Sequence, residues 1–190
     1  MAASKMAGRK SWKRLSDTKI DKVSYRTIIT KTFEMPDGEV ASFGTICPEG
    51  QEFVAAVALT GDNQVIIARQ FRVGPEMVMD ELPGGYVDEG ESVEEAGVRE
   101  LREETGYRAG NVQYLGKTHK DAYMNAVWHF ILATDCVYDP DEAHEREAEE
   151  HVETLLISIP ELIANAKGDK MTDAVGVMLA YDKLKEIDND

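Results

Sequence analysis

The stretch Gly85–Tyr107 reads GYVDEGESVEEAGVRELREETGY, and its spacing organises the reading of the whole chain. Ser92 and Glu95 stand in the S-x-x-E arrangement of a capping box, which predicts a helix beginning at about Val93. Gly106 stands where a left-handed residue would satisfy the last carbonyls and end it. On a helix of 3.6 residues per turn, Glu100, Glu103 and Glu104 fall at i, i+3 and i+4 and share one face, while Val98, Leu101 and Thr105 fall on an adjacent face suited to packing. Carboxylates so close repel one another unless a cation intervenes. Oxygen-only ligands favour a hard ion, Mg²⁺ first with Mn²⁺ as a substitute, and Mg²⁺ commonly bridges carboxylates to the phosphates of a substrate. The plainer alternative is a solvated acidic helix face. Arg99 is either a surface ion-pair partner or a clamp that orients a carboxylate through its planar fork. Just upstream, Leu82–Gly85 (LPGG) removes side chains where a backbone passes close to another group and permits positive φ, although an ordinary turn would read the same way.

Composition sets the outer limits. A chain of 190 residues, 43% hydrophobic and 30% charged, is expected to form one domain with a small extension and a substantial core. A net charge of −15 argues against a nucleic-acid backbone or an anionic membrane as the main partner, since either would repel the protein at long range. A phosphorylated substrate would need metal ions to bind. No apolar run reaches the length of a membrane span and residues 1–14 lack the apolar core of a secretory signal, so a cytoplasmic location is expected. Cys47 and Cys136 have no neighbouring Cys or His at zinc-ligand spacing and read as free thiols. His119, His129, His144 and His151 are scattered and read as surface or packing residues. Residues 1–14 carry Lys5, Arg9, Lys10, Lys13 and Arg14 without an acid and read as a basic, disordered tail.

Strand-like and turn-like segments follow. Tyr25–Glu34 and Glu39–Thr45 flank Met35–Gly38 (MPDG) and predict a hairpin. Glu52–Leu59 and Val65–Arg69 form a second pair around Gly61–Asn63. Further strands are expected at Val112–Gly116, Val127–Thr134 and Val152–Ile157, with helices over Pro160–Lys167 and Thr172–Ile187. The pattern indicates a mixed α/β (α+β) layered fold, divided into the tail 1–14, an N-terminal hairpin region 15–50 and a main domain 51–190.

Gly85, Glu91, Arg99, Glu100, Glu103, Glu104 and Gly106, with Leu101 and Tyr107 at the two apolar positions, match the box of the Nudix hydrolases without a gap, and the chain resembles that family from about Trp12 to Leu184. These enzymes cut a diphosphate linked to another moiety. The resemblance implies the Nudix fold, a mixed β-sheet layered between helices, with Glu100, Glu103, Glu104 and the Gly84 carbonyl as metal ligands and Arg99 orienting a carboxylate. Ala68–Arg72 (ARQFR) and Asp80–Glu91 (DELPGGYVDEGE) are similar to the ADP-ribose pyrophosphatase branch. That branch implies an antiparallel N-terminal hairpin exchanged across a homodimer, and Tyr25 and Phe43 align with positions that in some members flank the nucleobase; cross-strand packing is the commoner role of such aromatics. Arg69 and Arg72 share one strand face only if a bulge or turn intervenes; one of them is expected to touch phosphate or ribose, with Glu81 nearby as a metal or ribose contact.

A second acidic stretch, Asp141–Glu150, reads as a solvated loop. The resemblance implies a general base or further metal ligand there, at Glu150 with Glu147 and Glu149 as competitors. One departure matters: many ADP-ribose-selective members have a proline shortly beyond the box, whereas Lys117–Phe130 has none and carries Tyr123 and Asn125, on which sugar selectivity is expected to rest. The expected activity is Mg²⁺-dependent cleavage of a nucleoside diphosphate sugar, ADP-ribose first, to a nucleoside monophosphate and a sugar phosphate. The alternatives are GDP-mannose or a dinucleoside polyphosphate as substrate, a nucleotide-pool or RNA-cap hydrolase, or a Nudix-fold module that binds without cutting.

Overall fold

A computed structural model describes residues 11–15, 19–139 and 151–189. The chain divides into two units, the first made of residues up to Gln51 together with His119–Ala126, the second of Glu52–Thr118 and Val127 onward.

The first unit is a small antiparallel sheet around β3 (Arg26–Glu34). One edge of β3 takes β1 (Lys13–Arg14) and β2 (Lys19–Val23), and the other takes β4 (Val40–Ile46). The hairpin between β3 and β4 closes at Met35–Gly38, where Met35 N–H donates to Glu39 O at 2.7 Å and Gly38 takes φ +91°, which favours glycine. The tail expected over residues 1–14 ends too late. Lys13 and Arg14 pair with Glu34 and Phe33, because Trp12 has ring surface to cover and stands against Phe33 and Phe43 at centroid distances of 6.1 and 5.6 Å. The inserted segment 119–126 is tied to the same sheet: Ile46 N–H donates to Tyr123 O at 2.8 Å, and Asn125 donates from its backbone to Ile46 O and from its side chain to Cys47 O and Thr45 Oγ1.

The second unit is a mixed sheet with strand order β10 (Asn111–Thr118), β11 (Val127–Tyr138), β5 (Glu52–Thr60), β6 (Val65–Arg72), β12 (Glu153–Ile157). β5 and β11 are parallel; β5 is buried along nearly all its length and β11 through its middle, as expected for central strands covered on two sides. Alternation along β5 divides its side chains. Val54, Ala56 and Ala58 face α1 (Val93–Thr105), packing with Ala96, Leu101 and Ile131. Ala55, Val57 and Leu59 face the opposite side with Ile159 and Leu162 of α2 (Ile159–Lys167) and Val177, Ala180 and Leu184 of α3 (Ala174–Asn189). The layered mixed fold is therefore present, with one helix on one face of the sheet and two on the other.

Three short strands of this unit were not legible beforehand, as β1 and β2 were not in the first. β7 (Met77–Glu81) pairs with β6, β8 (Gly84–Tyr86) with β5 and β9 (Tyr107–Arg108) with β11. β7 ends in two acids and β8 begins with two glycines, compositions that strands ordinarily avoid. Among the described residues no helix is long and apolar enough to cross a membrane.

Gly176 lets α3 approach the sheet. A Cβ there would stand 2.5 and 2.8 Å from two atoms of the Phe130 ring and 2.7 Å from Leu82 Cδ1. Gly176→Val is expected to lower stability by about 1–3 kcal/mol through overpacking. Urea denaturation checks this, with a lower midpoint at unchanged slope as the expected result.

Candidate active site

Helix α1 begins and ends as its sequence dictates. Ser92 and Glu95 form the reciprocal capping box, and Gly106 closes the helix at φ +77°, its N–H donating to Arg102 O. Ala96, Gly97, Leu101 and Thr105 are the buried face. Val98, expected among them, is only half-buried, because Gly97 brings the helix so near the sheet that Ile131 and Val54 occupy the space beside it.

The opposite face holds the charge. Arg99 donates from Nε to Glu91 at 3.1 Å, from Nη2 to Glu91 at 3.0 Å and to Tyr86 O at 2.9 Å, and from Nη1 to Glu100 at 2.8 Å and Glu103 at 3.1 Å. Arg99 thus bridges three carboxylates at once. The Glu91 contact, largest among its causes, holds the Glu91 carboxyl below its usual range and raises the guanidinium further above its own. Because the folded value of Glu91 is depressed, the stability it gives is present above the ordinary carboxylate range and is lost as pH falls through that depressed value.

The carboxylates meet the backbone of Leu82–Gly85. Glu104 Oε2 accepts from Gly84 N–H at 3.0 Å, and Glu100 lies where a Gly85 side chain would be, with Cδ and Oε2 at 2.5 and 2.6 Å from a Cβ built there. A Gly84 side chain would run into Val54 O and stand 2.7 Å from Ala55 Cα. Neither glycine takes positive φ, so close approach alone requires them.

Three carboxylates on one guanidinium leave two negative charges, and Glu104 adds another. All donors are oxygen, which suits a hard divalent cation. Among the described residues no three acidic, His or Cys side chains already converge in coordination geometry, since Glu100 and Glu103 point to Arg99 and Glu104 to Gly84. The excess charge and the oxygen set fit such an ion once those side chains turn from their present partners.

The remaining expected residues fall in several places. β6 and β7 pair in regular register without a bulge, so Arg69 and Arg72 lie on opposite sheet faces. Arg69 Nε donates to Asp80 at 2.7 Å, and Asp80 also accepts from Asn165. Arg72 forms a two-pronged pair with Glu81, Nε to Oε1 at 2.6 Å and Nη2 to Oε2, and Gln70 donates to the same carboxylate. Asp80 and Glu81 are buried, and each has its charge matched by an arginine. Arg72 shares a sheet face with Ile66, which packs with Leu101 of α1, and so lies on the α1 side. Glu147, Glu149 and Glu150 lie outside the described residues.

Tyr25 and Phe43 are not brought to the two faces of one base within a chain. Phe43 pairs with Lys31. Tyr25 lies beyond the far end of β3, six residues from Lys31 and so roughly 20 Å along the strand, and its ring is 76% exposed with Arg26 over it. Phe43 instead joins Trp12 and Phe33 around a cavity of about 640 Å³ that Lys31, Tyr123 and Asn125 also line. Asn125 is committed to holding its loop and accepts from Lys31. Trp12 and Phe33 were missed because one sits in a basic segment and the other reads as strand packing. The i, i+2 spacing of Lys31 and Phe33 on β3 was the available signal. The thiols are free and buried, and burial raises Cys47 and pushes Cys136 to about 11.

With this geometry in hand, the NUDIX domain family model matches residues 51–175. The chain belongs to the Nudix family. It is similar to the ADP-ribose pyrophosphatase of Bacillus subtilis, at 27% identity over 155 residues that cover 80% of this chain and 82% of the relative. It is also similar to the ADP compounds hydrolase NudE of Escherichia coli, at 26% identity over 160 residues covering 84% and 86%. A crystal structure of an ADP compounds hydrolase superposes with a TM-score of 0.80 at 22% identity, covering 94% of this chain and 97% of that one, which establishes likeness of fold. The protein is thus a Nudix hydrolase, of a family that generally uses divalent metal ions.

The two glycines of this Nudix loop are expected to fail differently. Gly85→Ala displaces only the end of the Glu100 side chain and should lower turnover by about 10²-fold with little loss of stability. Gly84→Ala forces β8 away from β5 and should cost about 1–3 kcal/mol. Turnover and urea denaturation on both variants check the contrast.

Proposed function

We propose that this Nudix hydrolase cuts the pyrophosphate bond of a nucleoside diphosphate sugar with Mg²⁺, ADP-ribose being the leading substrate, to give a nucleoside monophosphate and a sugar phosphate. The observation that carries the reading is the α1 carboxylate face set against the Gly84–Gly85 backbone and organised by Arg99. Relatives named for ADP-ribose and ADP compounds match over four-fifths or more of both chains, which supports the adenine diphosphate class.

Glu100, Glu103, Glu104 and the Gly84 carbonyl are the groups that would hold the metal. Bound there, a divalent cation neutralises the diphosphate and acidifies a water molecule. The chain's own part is to present these oxygens without side-chain obstruction, to keep like charges together through Arg99, and to remove a proton with a carboxylate, for which Glu150, Glu147 and Glu149 are the candidates. Arg72, held by Glu81, is the arginine suited to a substrate phosphate. Arg69 is turned to the other face. The cavity beside Trp12, Phe33 and Phe43 offers stacking surface for a base, worth on the order of 1–3 kcal/mol per base by analogy with nucleic-acid proteins. Its replacement at Phe43→Ala should therefore raise KM with little change in kcat.

Activity is expected to vanish with excess chelator and to return with Mg²⁺ or Mn²⁺. Glu103→Gln should lower kcat by about 10²-fold or more, roughly 2.7 kcal/mol of transition-state stabilisation. Full activity in the folded variant contradicts the reading.

A homodimer formed through the N-terminal strands completes the proposal. Ile20, Val23, Tyr25 and Val40 are exposed on those strands and turns, apolar surface that a second copy would cover. Light scattering at micromolar concentration should give twice the chain mass, and a monomeric mass would exclude the exchange.

A further inference from the structure

β7 leads directly into the Leu82–Gly85 backbone, and its position is governed from the far end of the chain. Asp80 N–H donates to Lys170 O at 2.8 Å, Asp80 and Met171 form a parallel bridge, and Asn165 Nδ2 donates to Asp80 Oδ2 at 2.8 Å. Beyond this, Leu82 N–H donates to Asp173 Oδ2 at 3.2 Å, a fully buried contact between residues 91 apart in sequence. Asp173 immediately precedes α3 and is 3% exposed. Its carboxylate also accepts from Thr172 Oγ1 at 3.3 Å, and its carbonyl accepts from Gly176 N–H at 2.9 Å.

Burying a carboxylate is costly, and an apolar residue would fill the space more cheaply unless the acceptor itself is needed. Among the groups it serves is the Leu82 amide, two residues before Gly84.

We propose that Asp173 is a positioning residue for hydrolysis: by accepting the Leu82 N–H it sets where the Gly84–Gly85 backbone meets Glu100 and Glu104. This rests on the reading of the α1 carboxylates as the metal face. The role is that of an outer partner fixing a ligand's orientation, whose loss typically costs about 10–100-fold in metal affinity or activity.

Three variants separate positioning from support of the fold. Asp173→Asn keeps an acceptor oxygen. Asp173→Ala removes it. Asp173→Ser keeps a residue favourable at a helix start but is too short to reach Leu82. Hydrogen exchange of a peptide spanning Leu82 to Tyr86, Mn²⁺ titration followed by electron paramagnetic resonance, and ADP-ribose kinetics at saturating Mg²⁺ are measured on each. The expected result is faster exchange and Mn²⁺ affinity weakened about 10-fold or more in Asp173→Ala and Asp173→Ser. Near-wild-type values are expected in Asp173→Asn, and KM for ADP-ribose should change little throughout. Should Asp173→Ala not fold, Asp173→Ser decides. Unchanged exchange, or faster exchange with unchanged Mn²⁺ affinity, overturns the proposal. A wild type that binds no Mn²⁺ overturns the metal-face reading instead, and is distinguished from failure of the proposal, where wild type and variants bind Mn²⁺ equally.

Discussion

Like charge concentrated on one helix face is the constraint around which the rest is arranged. Glu100 and Glu103 on the helix repel each other and Glu91, which the fold brings beside them from just before it, and the Arg99 guanidinium, bonded to all three and to Tyr86 O, makes their assembly tolerable. Its five donors are held in a fixed planar fork that reaches acceptors on several sides, a preorganised geometry that the compact ammonium of a lysine lacks. The clamp leaves two of the three charges unbalanced before Glu104 is counted. The residual negative charge is what would draw a divalent ion to the face on the proposed reading, so the interaction that holds the carboxylates together also limits how far they are neutralised.

The same face imposes demands on its surroundings. Carboxylates can touch the Leu82–Gly85 backbone only where side chains are missing, hence the paired glycines, each excluded from having a Cβ by a different neighbour. The strand leading to them ends in Asp80 and Glu81, buried charges that are acceptable because Arg69 and Arg72 match them from the adjoining strand. Helices on the far side of the sheet contribute through Asn165 and Asp173. The backbone that meets the α1 carboxylates is therefore held by strand, loop and the C-terminal segments together, although the recognisable motif lies almost wholly in one helix.

What could be read from the chain beforehand was whatever depends on local chemistry. The capping box at Ser92 and Glu95, the left-handed Gly106, the Met35–Gly38 turn and the continuous apolar runs of β5 and β6 specify themselves within a few residues. The charges of α1 were legible for the same reason, since helical spacing fixes which residues share a face. Partnerships between distant segments were not. Nothing around Asp173 signals that its acceptor serves Leu82, and the opposed orientation of Arg69 and Arg72 depends on a bulge-free register that composition does not encode. Trp12 was hidden by its basic neighbours, and its place beside Phe33 and Phe43 emerges only from the pairing of β1 with β3.

The central claim, that this acidic face directs cleavage of a nucleoside diphosphate sugar, is tested most directly by its products. Ion-pair chromatography of reactions with Mg²⁺ over a panel containing ADP-ribose, GDP-mannose and a dinucleoside polyphosphate identifies the bond cut and the preferred substrate together. The account predicts AMP and ribose 5-phosphate in equal amounts from ADP-ribose, dependent on added metal. Intact ADP-ribose and GDP-mannose after prolonged incubation with Mg²⁺ and Mn²⁺, from protein shown to be folded, would contradict it.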